Sequence, residues 1–176
     1  MVEFVDTLTP QLVVLFLGLV VACWTDLRTG KIRNALTLPM VALGIAMNLS
    51  LGTGATGAWG LLAAIAIYYP LWIVRVQKGG DAKLWMGIGA LMGPWFVFEA
   101  SLWYAVIYLP IGLLILVIRG KLWNLVDAMM WTYAKAQGQD VGEAPEGTEL
   151  RTAPVIAAAV LIALFTELIS FVPDAS

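Results

Sequence analysis

Six long apolar stretches, separated by short polar segments, cover roughly residues 10–26, 35–52, 57–76, 82–98, 100–118 and 154–172. A helix needs about 20 mostly apolar residues to cross a bilayer, and each stretch approaches that length. Hydrophobic residues make up 61% of the chain and charged residues 12%, which is too apolar for a soluble domain. The sequence therefore predicts an all-α polytopic membrane protein with about six transmembrane helices, and we expect residues 1–176 to form a single membrane-embedded domain.

The positive charges are confined to alternate connections between these stretches. The first, third and fifth connections hold all ten basic residues: Arg28, Lys31, Arg33, Arg75, Lys78, Lys83, Arg119, Lys121, Lys135 and Arg151. Because cytoplasmic loops are enriched in Lys and Arg, these connections are predicted to be cytoplasmic. Both termini, which carry acidic residues and no basic ones, are then predicted to lie outside.

Glycine and proline positions add detail to this bundle. Gly89 and Gly93 are four residues apart, a spacing that predicts a groove for close helix contact in lipid. Prolines inside the apolar stretches predict kinks, because neighbouring helices can satisfy the freed carbonyls. These prolines are Pro39, Pro70, Pro94 and Pro110.

Residues 121–137 differ from the spans, because polar residues interrupt their apolar ones at helical spacing. This pattern predicts an amphipathic helix, which either lies on the cytoplasmic interface of the membrane or packs as a cap on the bundle. Residues 138–153, with four acidic residues among Gly and Pro, predict an acidic cytoplasmic loop.

The amino-acid inventory excludes several chemistries. The chain has no histidine, and its one cysteine, Cys23, lies within the first apolar stretch. A Ser-His or Cys-His nucleophile, a zinc site of histidines or clustered cysteines, and internal disulfides are therefore excluded. The net charge of −2, without a basic patch among aromatic residues, argues against nucleic acid as a partner. Carboxylates are the remaining catalytic groups, and no cofactor is expected.

Two aspartates, Asp26 and Asp81, lie where an apolar stretch meets a basic polar segment. Each has a simpler interpretation: Asp26 as a solvated carboxylate paired with Arg28, and Asp81 as the N-cap of the fourth helix. The predicted topology, however, places both at the cytoplasmic ends of their helices. Two adjacent carboxylates share a proton, so that one can activate water while the other polarises a peptide carbonyl, without a metal.

The residues around the aspartates form two motifs. Ile32 and Asn34 follow Asp26 after six and eight positions, and Asn34 is also expected to cap the second helix. The second motif comprises Gly79, Gly80, Asp81, Lys83 and Leu84. Together they resemble the signatures of the type IV prepilin peptidase family, membrane aspartyl proteases of the GxGD class. The resemblance is to the short members without the cysteine-rich domain associated with methylation, and it implies that Asp26 and Asp81 are catalytic.

Two positions depart from the family pattern: Lys78 replaces the first motif glycine, and Arg33 replaces the usual proline. Lys78 is expected to favour the ionised form of Asp81, and Gly79 to supply the backbone freedom of the missing glycine.

The resemblance implies an endopeptidase of the bacterial inner membrane that cleaves the short basic leader of prepilin-like substrates at the cytoplasmic face. Two other classes of function remain open. One is a catalytically silent relative that acts as an assembly scaffold for a pilus or secretion apparatus. The other is a small membrane transporter in which the aspartates bind a cation.

Overall fold

A computed structural model describes residues 10–73, 76–118, 120, 122–139, 141–142 and 151–170. These residues form seven α-helices and no β-strand, which confirms the all-α prediction. The helices are α1 (Pro10–Thr29), α2 (Asn34–Ser50), α3 (Gly54–Ile73), α4 (Gly79–Met92), α5 (Pro94–Ile118), α6 (Leu122–Ala136) and α7 (Ala153–Ser170). Six of these helices correspond in order to the six apolar stretches, and α6 is the helix predicted to be amphipathic.

The lengths and surfaces of the helices are those of a membrane protein. Three segments are long and apolar enough to cross a bilayer: Pro10–Thr29, Gly54–Ile73 and Pro94–Ile115. Asn34–Ser50 and Ala153–Thr166 form shorter apolar helices. Large apolar side chains such as Leu17, Val20 and Leu109 are more than half exposed, as lipid-facing residues would be. The chain is therefore a polytopic membrane protein.

The boundary between α4 and α5 corrects one expectation. The fourth stretch was predicted to continue through Pro94 to residue 98, but α4 ends at Met92 and Pro94 is the first residue of α5. Gly93 between them has a φ of 91°, a left-handed conformation that glycine adopts without strain. Proline suits the first helical turn because no helical partner is needed for its missing N–H. The 14 residues of α4 extend only about 21 Å, too short to cross the bilayer alone.

Helix α4 instead lies at the centre of the bundle, packed against α1, α2, α3 and α5, with nine of its residues buried. Glycines allow this approach. A Cβ atom added to Gly60 of α3 would overlap the carbonyl oxygen of Gly89 and lie 2.7 Å from the Cα atom of Gly93. The two backbones therefore touch, which confirms the predicted groove at Gly89 and Gly93. Asp81 thus lies on a helix that neighbouring helices hold on several sides.

Pro39, Pro70 and Pro110 lie inside helices, and the kinks predicted there remain predictions. Helix α6 packs against α5 and exposes Trp123, Met130 and Tyr133 by 65–74%. Its location at the membrane interface remains a prediction. The acidic residues expected in the following loop, Asp140, Glu143, Glu146 and Glu149, lie outside the described residues.

Candidate active site

Asp26 lies in the last turn of α1, and its side chain is only 1% exposed. Gly30 ends the helix with a φ of 66°, and its N–H donates to the Asp26 carbonyl at 2.8 Å. The guanidinium of Arg28 lies 4.1 Å above the ring of Trp24. The simpler interpretation, a solvated carboxylate paired with Arg28, is therefore wrong, because Asp26 is buried.

The segment 151–153, directly before and at the start of α7, contacts Asp26 twice. The backbone N–H of Ala153 donates to Oδ2 of Asp26 at 3.1 Å. The Nη1 atom of Arg151 donates to the Asp26 carbonyl oxygen at 2.8 Å. A cation at this position complements the negative end of the α1 dipole, where a buried carboxylate would otherwise be disfavoured. The segment thus binds both the side chain and the backbone of Asp26.

Asp81 is the third residue of α4 and is also 1% exposed. The residue that precedes the helix is Lys78, and no side chain caps this end, so the N-cap interpretation of Asp81 is wrong. Among the described residues, Oδ2 of Asp81 has no hydrogen-bond partner. A buried carboxyl oxygen without a partner is costly to a fold, which makes a purely structural role for Asp81 unattractive.

The surroundings of Asp81 favour its protonated form. Asp81 lies outside the segments that can span a membrane, and burial raises the pKa of its carboxyl from 3.8 to about 6. The Thr152 hydroxyl opposes this rise, the charge of Asp26 adds to it, and Lys78 opposes it. The Thr152 hydroxyl itself lacks a partner with full hydrogen-bond geometry among the described residues, so it is a close neighbour of the carboxyl and not a bonded one.

The motif-supporting residues of the two segments contact each other. The Nζ atom of Lys83 donates to Oδ1 of Asn34 at 2.9 Å. A Cβ atom on Gly80 would lie 3.1 Å from the Cβ atom of Ile32, so this glycine lets the segments pack closely. Asn34 is the first residue of α2 and does not cap it, because the cap residue is Arg33. The cap prediction for Asn34 is therefore wrong, and its side chain joins the two motifs.

Gly79 packs on a neighbouring aromatic ring, since a Cβ atom there would lie 2.9 Å from Nε1 of Trp72. The two departures from the family pattern fit the backbone. Lys78 has φ and ψ of −75° and 148°, an extended conformation that requires no glycine. Arg33 has φ and ψ of −81° and 142°, close to those of proline. Lys78 also reaches the first segment, because its Nζ atom donates to the Gly30 carbonyl at 3.4 Å.

Sequence reasoning missed the segment 151–153, which was assigned to the end of the acidic loop. Arg151 entered only as a charge that reports topology, and Thr152 had no role. The one local signal was a basic and a hydroxyl residue directly before the proline that opens the last apolar stretch. Gln77 and Tyr104, also near Asp81, had no local signal at all. Among the described residues, no group of three or more Cys, Asp or Glu side chains could hold a metal ion.

The fold and the site define a class: a polytopic helical membrane protein with two buried aspartates that share one segment at the same end of the bundle. A family model, the type IV leader peptidase family, matches residues 13–117, more than half of the chain, and this range includes both aspartates. The chain belongs to that family and is a membrane protease of the leader-peptidase type. No curated protein and no solved structure matches the chain.

Proposed function

We propose that this chain is an aspartyl endopeptidase that cleaves the short basic leader of type IV prepilin-like substrates. Asp26 and Asp81 activate the attacking water at the cytoplasmic face of a bacterial inner membrane. The whole chain acts as one membrane-embedded peptidase domain. The apolar helix of the substrate lies in the bilayer, and its leader enters from the cytoplasm.

One observation carries this proposal: two acidic side chains, 55 positions apart in the sequence, are both 1% exposed and both lie against the segment 151–153. Burying one carboxyl group costs a fold several kcal/mol unless it is paired, and burying two near each other costs more. Such an arrangement is common at catalytic sites, where a perturbed carboxyl group is useful.

The environments of the two aspartates suggest different roles. Asp26 accepts the Ala153 N–H, a hydrogen bond suited to an ionised carboxylate, and Arg151 lies beside its backbone. Asp81 has a raised pKa and an unpartnered oxygen. We therefore assign Asp26 as the general base and Asp81 as the protonated group that donates to the substrate carbonyl.

In the first step, Asp26 takes a proton from water while the hydroxide attacks the scissile carbonyl carbon. Asp81 gives its proton to the carbonyl oxygen, so a neutral tetrahedral diol forms. In the second step, the leaving nitrogen takes the proton held by Asp26, and the C–N bond breaks as a hydroxyl proton returns to Asp81. The two carboxyl groups end the cycle in their starting states, and no covalent intermediate is formed.

Leader cleavage by the purified chain tests this proposal directly. Asp26→Asn and Asp81→Asn keep the side-chain shape but cannot exchange the proton, so each should abolish cleavage while the helical bundle stays folded. Asp127→Asn, an exposed aspartate on α6, is the matched control and should cleave like the wild type. Near-normal cleavage by a folded Asp81→Asn protein would rule out the dyad.

The other two functions predict different results. A silent scaffold gives a folded wild-type chain that cleaves no leader, and a transporter gives cation flux in liposomes that both Asn variants remove.

The cytoplasmic location of the site is tested by single-cysteine labelling in a Cys23→Ser background. Lys31 and Leu51 are both exposed and lie in successive connections of the chain. A cysteine at position 51 should react with an impermeant reagent in intact cells, and one at position 31 only after lysis. The reverse pattern would place the site outside.

A further inference from the structure

Polar atoms without partners are concentrated around Asp81. Within the described part of the chain, six buried side-chain polar atoms have no hydrogen bond, and they belong to Thr37, Gln77, Asp81, Trp85, Tyr104 and Thr152. The Tyr104 hydroxyl lies near both Asp81 and the Gln77 side chain, and Thr152 lies beside Asp81. We name Gln77, Asp81, Tyr104 and Thr152 the Asp81 polar cluster. Its members come from three parts of the chain, because Gln77 and Asp81 are only four positions apart.

The cluster is buried and has an aromatic wall. Gln77, Tyr104 and Thr152 are 7%, 5% and 3% exposed. Trp85, one helical turn after Asp81, lies edge-on to Tyr104 with ring centroids 5.7 Å apart. Trp85 also stacks on Tyr68, with ring centroids 4.6 Å apart, and the Tyr68 hydroxyl already donates to Ser101. The polar cluster is therefore continuous with a group of packed aromatic rings, and the Nε1 atom of Trp85 is itself without a partner among the described residues.

We propose that the Asp81 polar cluster binds one peptide group of the substrate backbone, next to the bond that is cleaved. This inference rests on the proposed function and identifies the substrate-binding part of the same site. The Gln77 Oε1 atom accepts the peptide N–H. The hydroxyls of Tyr104 and Thr152 donate to the peptide C=O.

The chemistry of the cluster fits this ligand. Apart from Asp81, its members are neutral, and together they offer both donors and an acceptor. A peptide group needs one acceptor and one donor, and it carries no net charge that would lose its hydration in this buried setting. Backbone recognition also places any substrate sequence in the same register against Asp81.

The melting temperatures of variants distinguish substrate binding by the Asp81 polar cluster from a structural role of the same residues. An unpartnered buried hydroxyl destabilises the fold, and its removal is neutral or stabilising. Tyr104→Phe and Gln77→Met, which remove hydrogen-bonding groups at nearly constant shape, should therefore leave the melting temperature unchanged or raise it. Tyr68→Phe is the matched control, because it removes a hydroxyl that is already bonded within the same aromatic group. It should lower the melting temperature and leave cleavage near the wild-type level.

The experiment measures two quantities with a synthetic peptide that spans a basic leader and the start of its apolar helix. The first is kcat/KM of the single variants. The second is the affinity of the labelled peptide for Asp26→Asn protein, alone and with each cluster substitution, which requires no cleavage. Tyr104→Phe and Gln77→Met should each reduce both quantities about tenfold.

Unchanged affinity and kcat/KM in these two variants would overturn the inference, as would a lowered melting temperature with unchanged affinity. If Tyr104→Phe does not fold, Gln77→Met decides by the same criteria. Failure of the proposed function is a distinct result, since the wild type would then cleave no peptide.

Discussion

The two aspartates of this protease are held in opposite ways. Asp26 lies at the end of α1 and is fixed from outside that helix, by the Ala153 N–H on its carboxylate and by Arg151 on its carbonyl. Asp81 lies at the start of α4, a helix packed on several sides, yet its own Oδ2 atom has no partner in the described part of the chain. The carboxylate of Asp26 thus accepts a hydrogen bond from outside its own helix, whereas one oxygen of the buried Asp81 carboxyl has no partner among the described residues.

This difference is the basis of the different roles that we propose for the two aspartates. Hydrogen bonds to a carboxylate hold it in place and favour its charge, whereas burial without a partner favours the neutral acid. The segment 151–153 lies against both residues, so one short stretch of the chain contacts the proposed base and the proposed acid. The four predictions below are ordered by expected effect and test this contrast.

The largest effect is expected for cleavage by the Asn variants of Asp26 and Asp81, which tests whether the two aspartates act together. If the base and the acid act in the same step, each Asn substitution should reduce cleavage roughly 10³-fold or more, and the double substitution should be no worse than either single one. The measurement is the residual cleavage rate of the two single variants and the double variant, all at the same pH. Multiplicative losses in the double variant would mean that the aspartates act independently.

The second prediction concerns the support of Asp26. Arg151→Met removes the donor to the Asp26 carbonyl and should lower kcat/KM by about tenfold to a hundredfold, the range expected for a hydrogen bond from a charged group. Arg151→Lys should recover part of this loss, because it restores the charge without the planar fork. Lys135→Met, on the exposed side of α6, controls for a general loss of positive charge. Equal activity of the Arg151→Met and Lys135→Met proteins would remove Arg151 from the site.

The third prediction is a dependence of stability on pH. The pKa of Asp81 is raised in the folded protein from 3.8 to about 6, so the folded state holds its proton more tightly than the unfolded state. This contribution to stability is fully present below pH 3.8 and is lost as the pH rises through about 6. Asp81→Asn removes the ionisation and should stabilise the protein at neutral pH by about 2–3 kcal/mol.

The free energy of unfolding in detergent, measured at acidic and at neutral pH, gives the stability gained by Asp81→Asn. Asp26→Asn is the control variant. Its amide oxygen can still accept the Ala153 N–H, so no similar gain is expected. An Asp81→Asn protein with the same pH dependence as the wild type would show that Asp81 is not the strained member of the pair.

The smallest effect concerns Lys78, whose charge lowers the pKa of Asp81 against the larger effect of burial. Lys78→Met should raise this pKa further and move the alkaline limb of the kcat/KM profile to higher pH, because Asp81 must be protonated to act. The change in peak activity should be less than tenfold. Lys31→Met, an exposed residue of the first connection, should leave the limb in place. A shift to lower pH would contradict the assignment of Asp81 as the acid.

Local sequence patterns predicted the helices and the two motif segments. The six stretches correspond in order to six helices, because apolar length is the dominant requirement in lipid. The least accurate boundary was that between α4 and α5. Gly93 and Pro94 were predicted to lie inside one helix because the residues around them are apolar. A glycine followed by proline is also a strong local stop signal, and it prevailed.

The alternatives for single residues were harder to decide from the sequence. Asp81 follows two glycines and resembles a helix cap. Asn34 also resembles a helix cap, but neither residue caps its helix. A cap prediction uses only the local backbone, whereas the partner of Asn34 is Lys83, 49 positions away. A distant hydrogen-bond partner can compete with a local one only after the helices have packed, so the local sequence does not reveal it.

The sequence by itself determined the class of this protein, because its apolar lengths required membrane helices, and its inventory left carboxylates as the candidate catalytic groups. It also marked Asp26 and Asp81 by their motifs. Tertiary structure decided what surrounds them, including the segment 151–153 on Asp26 and the cluster of Gln77, Tyr104 and Thr152 around Asp81. These contacts join parts of the chain up to 127 positions apart. Such contacts follow from helix packing in three dimensions, and no periodicity along the chain encodes them.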